Sequence, residues 1–297
     1  MDETAETARA KINLALHVTG QRADGYHLID SLVAFADLGD AMNFTLSDSD
    51  SLTIGGEFGS ELDPGGDNLV ARARDSLRQA ADARGLAAPQ TAIHLQKNLP
   101  VASGIGGGSA DAAACLRGLM RLWRIPSDAV DLAAIAASLG ADVPMCLVSR
   151  PLIARGIGEN IEMLAELPPL PMVLVNPLQA VSTPETFGAL ANKNNKKLTL
   201  SNVPNNLDAT VSALLSARND LEEPARRIAP VIDEVRSAVA ACHPLLVRMS
   251  GSGATVFGIF HDPVEARLAG DLLRDQNPQW WVRSTVTAGA PQEQETA

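Results

Sequence analysis

The densest cluster of chemically useful residues is Pro100-Val101-Ala102-Ser103-Gly104-Ile105-Gly106-Gly107-Gly108-Ser109-Ala110-Asp111. Four of the five residues from 104 to 108 are glycine. They cost about 2–4 kcal/mol in backbone entropy, at roughly 0.5–1 kcal/mol each relative to alanine. In return, successive N–H groups can close around an anion with no Cβ in the way. A strand precedes the run and a small-residue helix follows, so those donors and a helix N-terminus converge on one point, a phosphate site. A flexible linker is the plain alternative, but a linker does not lead directly from strand into helix. Two common nucleotide loops are excluded. No Lys follows Gly108, and the residues three beyond Gly106 and Gly108 are Ser109 and Asp111, which breaks the dinucleotide fingerprint.

Phosphoryl chemistry also needs a base and a cation. Lys11 and Asn13 alternate with Ala10, Ile12, Leu14, Leu16 and Val18, so both project from the polar face of one strand, roughly 7 Å apart. Asp142 stands in Gly140-Ala141-Asp142-Val143-Pro144, a break where a carboxylate can face a cleft. From the residues alone, Asp142 also reads as a turn cap and Lys11 as a surface residue. Tyr26-His27, after the turn dipeptide Asp24-Gly25, reads unaided as a hairpin tip. Asn68 reads as a helix cap, Ser109 as a cap of its own helix or a phosphate contact, and Phe187 as a helical ring or core. Ser250-Gly251-Ser252-Gly253 is a second backbone nest or a strand-to-strand turn. His17, His94, His243 and His261 show no ligand spacing, and no metal ligands are assigned.

The elements that must position these residues follow from periodicity and punctuation. Strands are expected over 10–18, 28–35, 44–46, 52–54 and 91–95, with helices over 69–84, 109–123 and 127–139. Pro168-Pro169-Leu170-Pro171 is a composition break and the expected domain boundary. Beyond it lie a strand at 172–175 and a helix opened by Ser182-Thr183-Pro184. Helices over 206–217 and 222–241 come next, then strands at 245–249 and 255–260, a helix over 262–276 and a strand at 281–287.

The chain has 297 residues, 46% hydrophobic and 20% charged, enough for an extensive core. Net charge is −11, and there is no basic block. With only six Phe, three Trp and one Tyr, a base-stacking platform for nucleic acid is not expected. The isolated Cys115, Cys146 and Cys242 form no disulfide framework. The N-terminus has no apolar h-region and no run suits a membrane span, so a cytoplasmic location is expected.

Three motifs together resemble the GHMP kinases. These are Ala10-Lys11-Ile12-Asn13-Leu14 with Gly25-Tyr26-His27, the glycine run with Gly140-Ala141-Asp142-Val143-Pro144, and Met249-Ser250-Gly251-Ser252-Gly253-Ala254. They span nearly the whole chain in family order, and Arg155-Gly156-Ile157-Gly158-Glu159 also resembles a family segment. The resemblance implies the α+β, two-domain GHMP kinase fold. A ribosomal S5-like N-terminal domain would cover 1–167 and a ferredoxin-like C-terminal domain 168–288, with a disordered tail at 289–297.

It further implies ATP-dependent phosphorylation of an alcohol, within the family the 2-hydroxyl of a cytidine-diphosphate methylerythritol, on the non-mevalonate route to isoprenoid precursors. Asp142 would be the base, with Lys11 orienting it and keeping it ionised. The ATP side would comprise Asn68, Lys97, Pro100, Val101, Ala102, Ser103, Gly104, Ile105, Gly106, Gly107, Gly108, Ser109 and Ala110. The acceptor side would comprise Asn13, Tyr26, His27, Thr183, Phe187, Gly251 and Gly253, with cytosine between Tyr26-His27 and Phe187. Mg2+ would accompany ATP, with protein ligands unassigned. Ala110 stands where many relatives carry a second Ser, so a paired-hydroxyl metal site is not implied, and Val101-Ala102-Ser103 makes a stiffer approach to the loop.

Two other readings remain at this point. One is another small-metabolite kinase of the family, acting on homoserine or a mevalonate-type alcohol with no base for Tyr26-His27. The other is a catalytically silent nucleotide-binding protein on the same fold. No nucleic acid or membrane partner is expected, and the chain is expected to be a monomer or weak homodimer.

Overall fold

The computed structural model describes residues 3–65, 67–199 and 205–288; the tail expected at 289–297 lies outside them. Packing gathers the chain into two compact units, which do not follow a single boundary near residue 168. One comprises Met1–Lys11, Leu38–Val101 and Gly106–Ser149; the other comprises Ile12–Asp37, Ala102–Ile105 and Arg150–Ala297. The composition break at Pro168 marks the approach to a strand, whereas the units exchange chain through two long strands and the glycine loop.

Those strands are β1 (Glu3–Gln21) and β2 (His27–Leu46). The expected strands at 28–35 and 44–46 are one continuous element. From Ala10 to Val18, β1 is buried on both faces, so the polar face read from its alternation is not exposed. Lys11 and Asn13 are therefore polar groups inside a buried strand, where each needs a partner.

In the first unit, β3 (Ser51–Gly55) pairs parallel with β4 (Thr91–Gln96), which pairs antiparallel with Ala41–Leu46 of β2. Helix α1 (Leu69–Asp82) is capped by Asn68 and buries Val70, Ala73, Leu77 and Ala81 at helical spacing. It packs on α2 (Gly107–Leu122), whose small residues Ala110 and Ala112–Ala114 allow close approach. α3 (Leu132–Leu139) starts at its cap Asp131 and not at Ser127. α4 (Val143–Val148) occupies the expected break, because Pro144 in a first turn costs no hydrogen bond and helps a helix begin.

In the second unit, β5 (Leu152–Gly156) pairs with Ile29–Val33 of β2 and with β6 (Asn160–Met163), both antiparallel. β5 and β6 are absent from the sequence reading, which took 155–159 only as a motif. After β7 (Pro171–Asn176) come α5 (Thr183–Gly188), α6 (Leu207–Leu215), α7 (Glu222–Ile228) and α8 (Val231–Ala240). The expected helix over 222–241 is split because Pro230 has no N–H to continue the ladder. β8 (Leu246–Met249), β9 (Val256–Ile259), α9 (Pro263–Gln276) and β10 (Trp281–Val286) complete an antiparallel sheet of order β10-β7-β9-β8. With α8 before β8 and α9 before β10, the order is βαββαβ, the ferredoxin-like pattern. The fold is α+β, as the sequence implied.

Candidate active site

The expected residues divide between the units, with Ala102–Ile105 of the loop falling in the second. In the first, Gly106 is the N-cap of α2 at φ 68°, and no side chain caps this helix. Its leading N–H groups thus remain donors for an outside anion. Ser109 lies within the helix and is not its cap. A Cβ on Gly106 would come within 3.1 Å of Lys11 Cβ and 3.2 Å of Lys11 Cε, so the lysine stem runs along this glycine. Lys11 is 5% exposed, and its Nζ donates to Asp142 Oδ2 at 2.5 Å. Asp142 precedes α4 but makes no cap hydrogen bond. Its side chain, 39% exposed, turns to the lysine instead. Both plain readings fail: Lys11 is not a surface residue, and Asp142 caps nothing. A carboxylate held on one side by an ammonium and open on the other can accept a proton from a hydroxyl.

Around the loop, Asn68 caps α1 by accepting from Val70 N–H at 2.9 Å. Leu69 beside it would lie 3.7 Å from a Cβ on Gly108, so the two helices begin against each other. Ile105 and Ala110 are buried, as is Pro100, whereas Gly108 and Ala102 are exposed. Val101 is half-buried, and Ala102 adopts the left-handed region at φ 50°, as do Gly104 and Gly106 at 75° and 68°.

Lys97 is a correction. It is 2% exposed, and its Nζ donates to Asp40 and, at 2.7 Å, to Asp111 Oδ2. Burial opposes its charge, but Asp111 and Asp40 outweigh burial and hold the ammonium above the ordinary lysine range. An ammonium enclosed between two carboxylates is not available to a phosphate.

The second unit arranges Asn13, which is 2% exposed. Its N–H donates to Ser250 Oγ at 3.0 Å and its Nδ2 to Ser31 Oγ at 2.8 Å. Ser31 gives its own proton to Ala15 O, so it must accept from the amide nitrogen. Asn13 Oδ1 is left buried with no partner among the described residues. His27 stacks on Phe187 with centroids 4.8 Å apart, which corrects the expected sandwich. An interposed base would need about 7 Å, twice a ~3.5 Å carbon contact. Phe187 is also half-buried against the unit's core, so both sequence readings of it hold in part. Burial, then the Lys193 charge, lowers the His27 pKa, and its Nε2 lacks a partner among the described residues. Tyr26 is 58% exposed beside the turn joining β1 and β2.

Thr183 shares a 2.7 Å hydrogen bond with Ser252. Gly251 and Gly253 both hold positive φ, 55° and 91°, and both are closely packed: a Cβ on Gly251 would meet Gly104 O at 2.6 Å, one on Gly253 would meet Met249 Sδ at 2.8 Å, and one on Gly104 would meet Gly253 N at 2.8 Å. Ser250 Oγ donates to Gly104 O and Thr255 Oγ1 to Ser103 O, pinning that stretch. Sequence reading missed Asp40, Asp111 and Ser31. Asp111 did carry a signal, a carboxylate heading the alanine run 112–114; Ser31 carried none.

Comparison with known proteins adds to this geometry. The model of the GHMP kinases N terminal domain matches residues 68–150, and that of the GHMP kinases C terminal matches 200–279. A 4-diphosphocytidyl-2-C-methyl-D-erythritol kinase of Rhizobium etli is 58% identical over 283 residues, covering 95% of this chain and 94% of that one. One from Agrobacterium fabrum is 55% identical, covering 96% of each. A crystal structure of 4-(cytidine 5'-diphospho)-2C-methyl-D-erythritol kinase superposes with a TM-score of 0.79 at 35% identity, over 96% of this chain and all of that one. Homoserine kinase from Cytophaga hutchinsonii, at 20% identity and TM-score 0.71 over 97% of this chain and 95% of that one, shares the fold.

Proposed function

The chain belongs to the 4-diphosphocytidyl-2-C-methyl-D-erythritol kinases of the GHMP family, and from that premise we propose the reaction and the residues that carry it. It is a phosphotransferase acting on an alcohol group. In our reading it transfers the γ-phosphoryl group of ATP to the 2-hydroxyl of 4-diphosphocytidyl-2-C-methyl-D-erythritol, giving ADP and the 2-phosphate. The observation that carries this is the Lys11–Asp142 pair beside the uncapped, glycine-led start of α2.

The steps follow from those groups. The leading N–H groups of α2 hold phosphate oxygens, with Gly106, Gly107 and Gly108 keeping the approach clear. Asp142 takes the proton of the acceptor hydroxyl as its oxygen attacks the γ-phosphorus, and the bond to the β-phosphate oxygen breaks with ADP leaving. Lys11 fixes the carboxylate that receives the proton. No group of three or more His, Cys, Asp or Glu able to hold a metal occurs among the described residues. Mg2+ would accompany ATP and supply charge neutralisation on the phosphates.

On the acceptor side, the partnerless Asn13 Oδ1 takes a hydroxyl of the erythritol. The His27–Phe187 stack forms one wall for cytosine, and Tyr26 closes over the other face. Gly251 and Gly253 serve through their packing on Gly104. A cytoplasmic location suits the unpaired thiols of Cys115, Cys146 and Cys242, and no helix among the described residues is long and apolar enough to cross a membrane. We read the chain as a monomer or weak homodimer with no nucleic-acid partner.

Asp142→Asn is expected to lower kcat by about 10²–10⁴ with the fold intact; near-normal turnover would remove Asp142 from the role of base. ADP release against cytidyl-erythritol, mevalonate and homoserine acceptors tests the substrate. Preference for either acceptor lacking a base would overturn the assignment.

A further inference from the structure

We propose that Asp40, Lys97 and Asp111 form a buried positioning clamp that fixes both ends of the glycine loop and thereby sets the affinity for ATP. The proposal rests on the reading of that loop as the phosphate site. Asp40 Oδ1 accepts from Asn98 N–H at 2.5 Å and Leu99 N–H at 2.8 Å, which fixes the chain entering the loop. Its Oδ2 holds Lys97 Nζ, and the same ammonium donates at 2.7 Å to Asp111 in the opening turns of α2, where the chain leaves. Nζ lies 3.0 Å from where a Cβ on Gly107 would be, so the bridge passes directly against the first helical residue.

The base of the clamp is rigid. Lys97 N–H donates to Gly55 O at 2.8 Å and its carbonyl accepts from Phe58 N–H at 3.1 Å. A Cβ on Gly56 would fall 2.4 Å from that carbonyl, so the lysine backbone is enclosed on this side too.

Charge argues for geometry over attraction. Burial outweighs the Lys97 charge and raises the Asp111 pKa to about 8, so at neutral pH the three side chains sum to about zero, which does not draw a polyphosphate, and the ammonium is enclosed. Buried ion clusters of this kind are seldom the most stable filling for a core, and well-packed apolar residues often do as well. What the cluster supplies is a fixed span between residues 98–99 and 107–111. Donors aimed at a phosphate lose binding steeply when displaced by about 1 Å.

The test measures binding of a non-hydrolysable ATP analogue by calorimetry, with the KM of the cytidyl acceptor as the second readout. Asp40→Asn and Lys97→Met are each expected to weaken analogue binding about ten- to a hundredfold. The double variant should lose little more than the worse single one, with acceptor KM within about twofold. If Lys97→Met weakens binding but Asp40→Asn does not, the lysine touches phosphate itself and the clamp is wrong. Additive losses, or equal loss for analogue and acceptor, also overturn it. Should Lys97→Met fail to fold, Asp111→Asn keeps an acceptor of the same size for the ammonium; unchanged analogue affinity in both aspartate variants then overturns the proposal. Gly108→Asp separates the two readings, since its Cβ meets only Leu69 Cδ1, at 3.7 Å. If that added charge leaves binding unchanged, the loop is not the phosphate site and the clamp falls with it. If it weakens binding while Asp40→Asn does not, the clamp alone has failed.

Discussion

Lys11 and Asn13 lie two residues apart on β1, yet their side chains meet different partners: Asp142 for the lysine, Ser31 for the amide. Both polar groups are buried, and only Asn13 Oδ1 is left over for something outside the described chain. On the acceptor side, Tyr26→Ala is expected to raise KM for the cytidyl acceptor about tenfold, near the low end of the ~1–3 kcal/mol per stacked base. KM for ATP should stay unchanged, and an equal rise in both would argue against a separate cytosine wall. His17 gives a pH prediction. Its Nδ1 bonds Lys196 O at 3.0 Å while Nε2 accepts from Arg218 N–H at 3.2 Å, so the ring is neutral with its proton on Nδ1. Burial, then the Arg218 charge, lowers its pKa below the unfolded value of 6.5. The unfolded chain therefore binds the proton more readily, so this contribution to stability is full above pH 6.5 and is lost as pH falls through the folded value. Thermal melts from pH 5 to 7.5 should show His17→Gln losing less stability on acidification than the native chain.

At the scale of elements, α2 carries the most constraint. Its cap must be glycine for Lys11 to pass, and Gly118 faces the ring of Phe44, which a Cβ would meet at 2.3 Å. Gly118→Ala is expected to destabilise by about 1–3 kcal/mol through overpacking, read as a lower Tm with kcat retained. Ala102 holds a left-handed conformation on an exposed approach to the loop. Ala102→Gly relieves about 1 kcal/mol of that strain but adds backbone entropy to the unfolded chain, so Tm should change little. Most elements were legible from periodicity and caps: Asn68 before α1, Ser182 before α5 and Asp262 before α9 all accept from first-turn N–H groups. Two of the helix failures share a cause. Proline reads as a stop at 144, where it opens a helix, and at 230 it divides a pattern that reads as one helix. A local pattern shows that proline interrupts a ladder, but not on which side the helix continues.

For the molecule as a whole, net charge −11 opposes a polyphosphate ligand. Charges beyond about 8 Å are screened at physiological ionic strength, so on the proposed assignment the attraction comes from the local donors of α2 and from Lys11. KM for ATP is thus expected to vary less than about threefold between 0.05 and 0.5 M salt; a much steeper dependence would place exposed basic groups in the site. By itself, the sequence determined the glycine run leading into its helix, the alternation of Lys11 with Asn13, and the β-β-α-β order over 245–287. Each of these is written in residues close together along the chain, where dihedral preference and side-chain period act. The family resemblance implied that Lys11 meets Asp142, 131 positions away, but tertiary structure alone paired Lys97 with Asp40, across 57. The rings of His27 and Phe187 close on each other, leaving no gap for a base. A buried charge must be satisfied wherever the packing brings it, and no spacing in the sequence records the partner it will find.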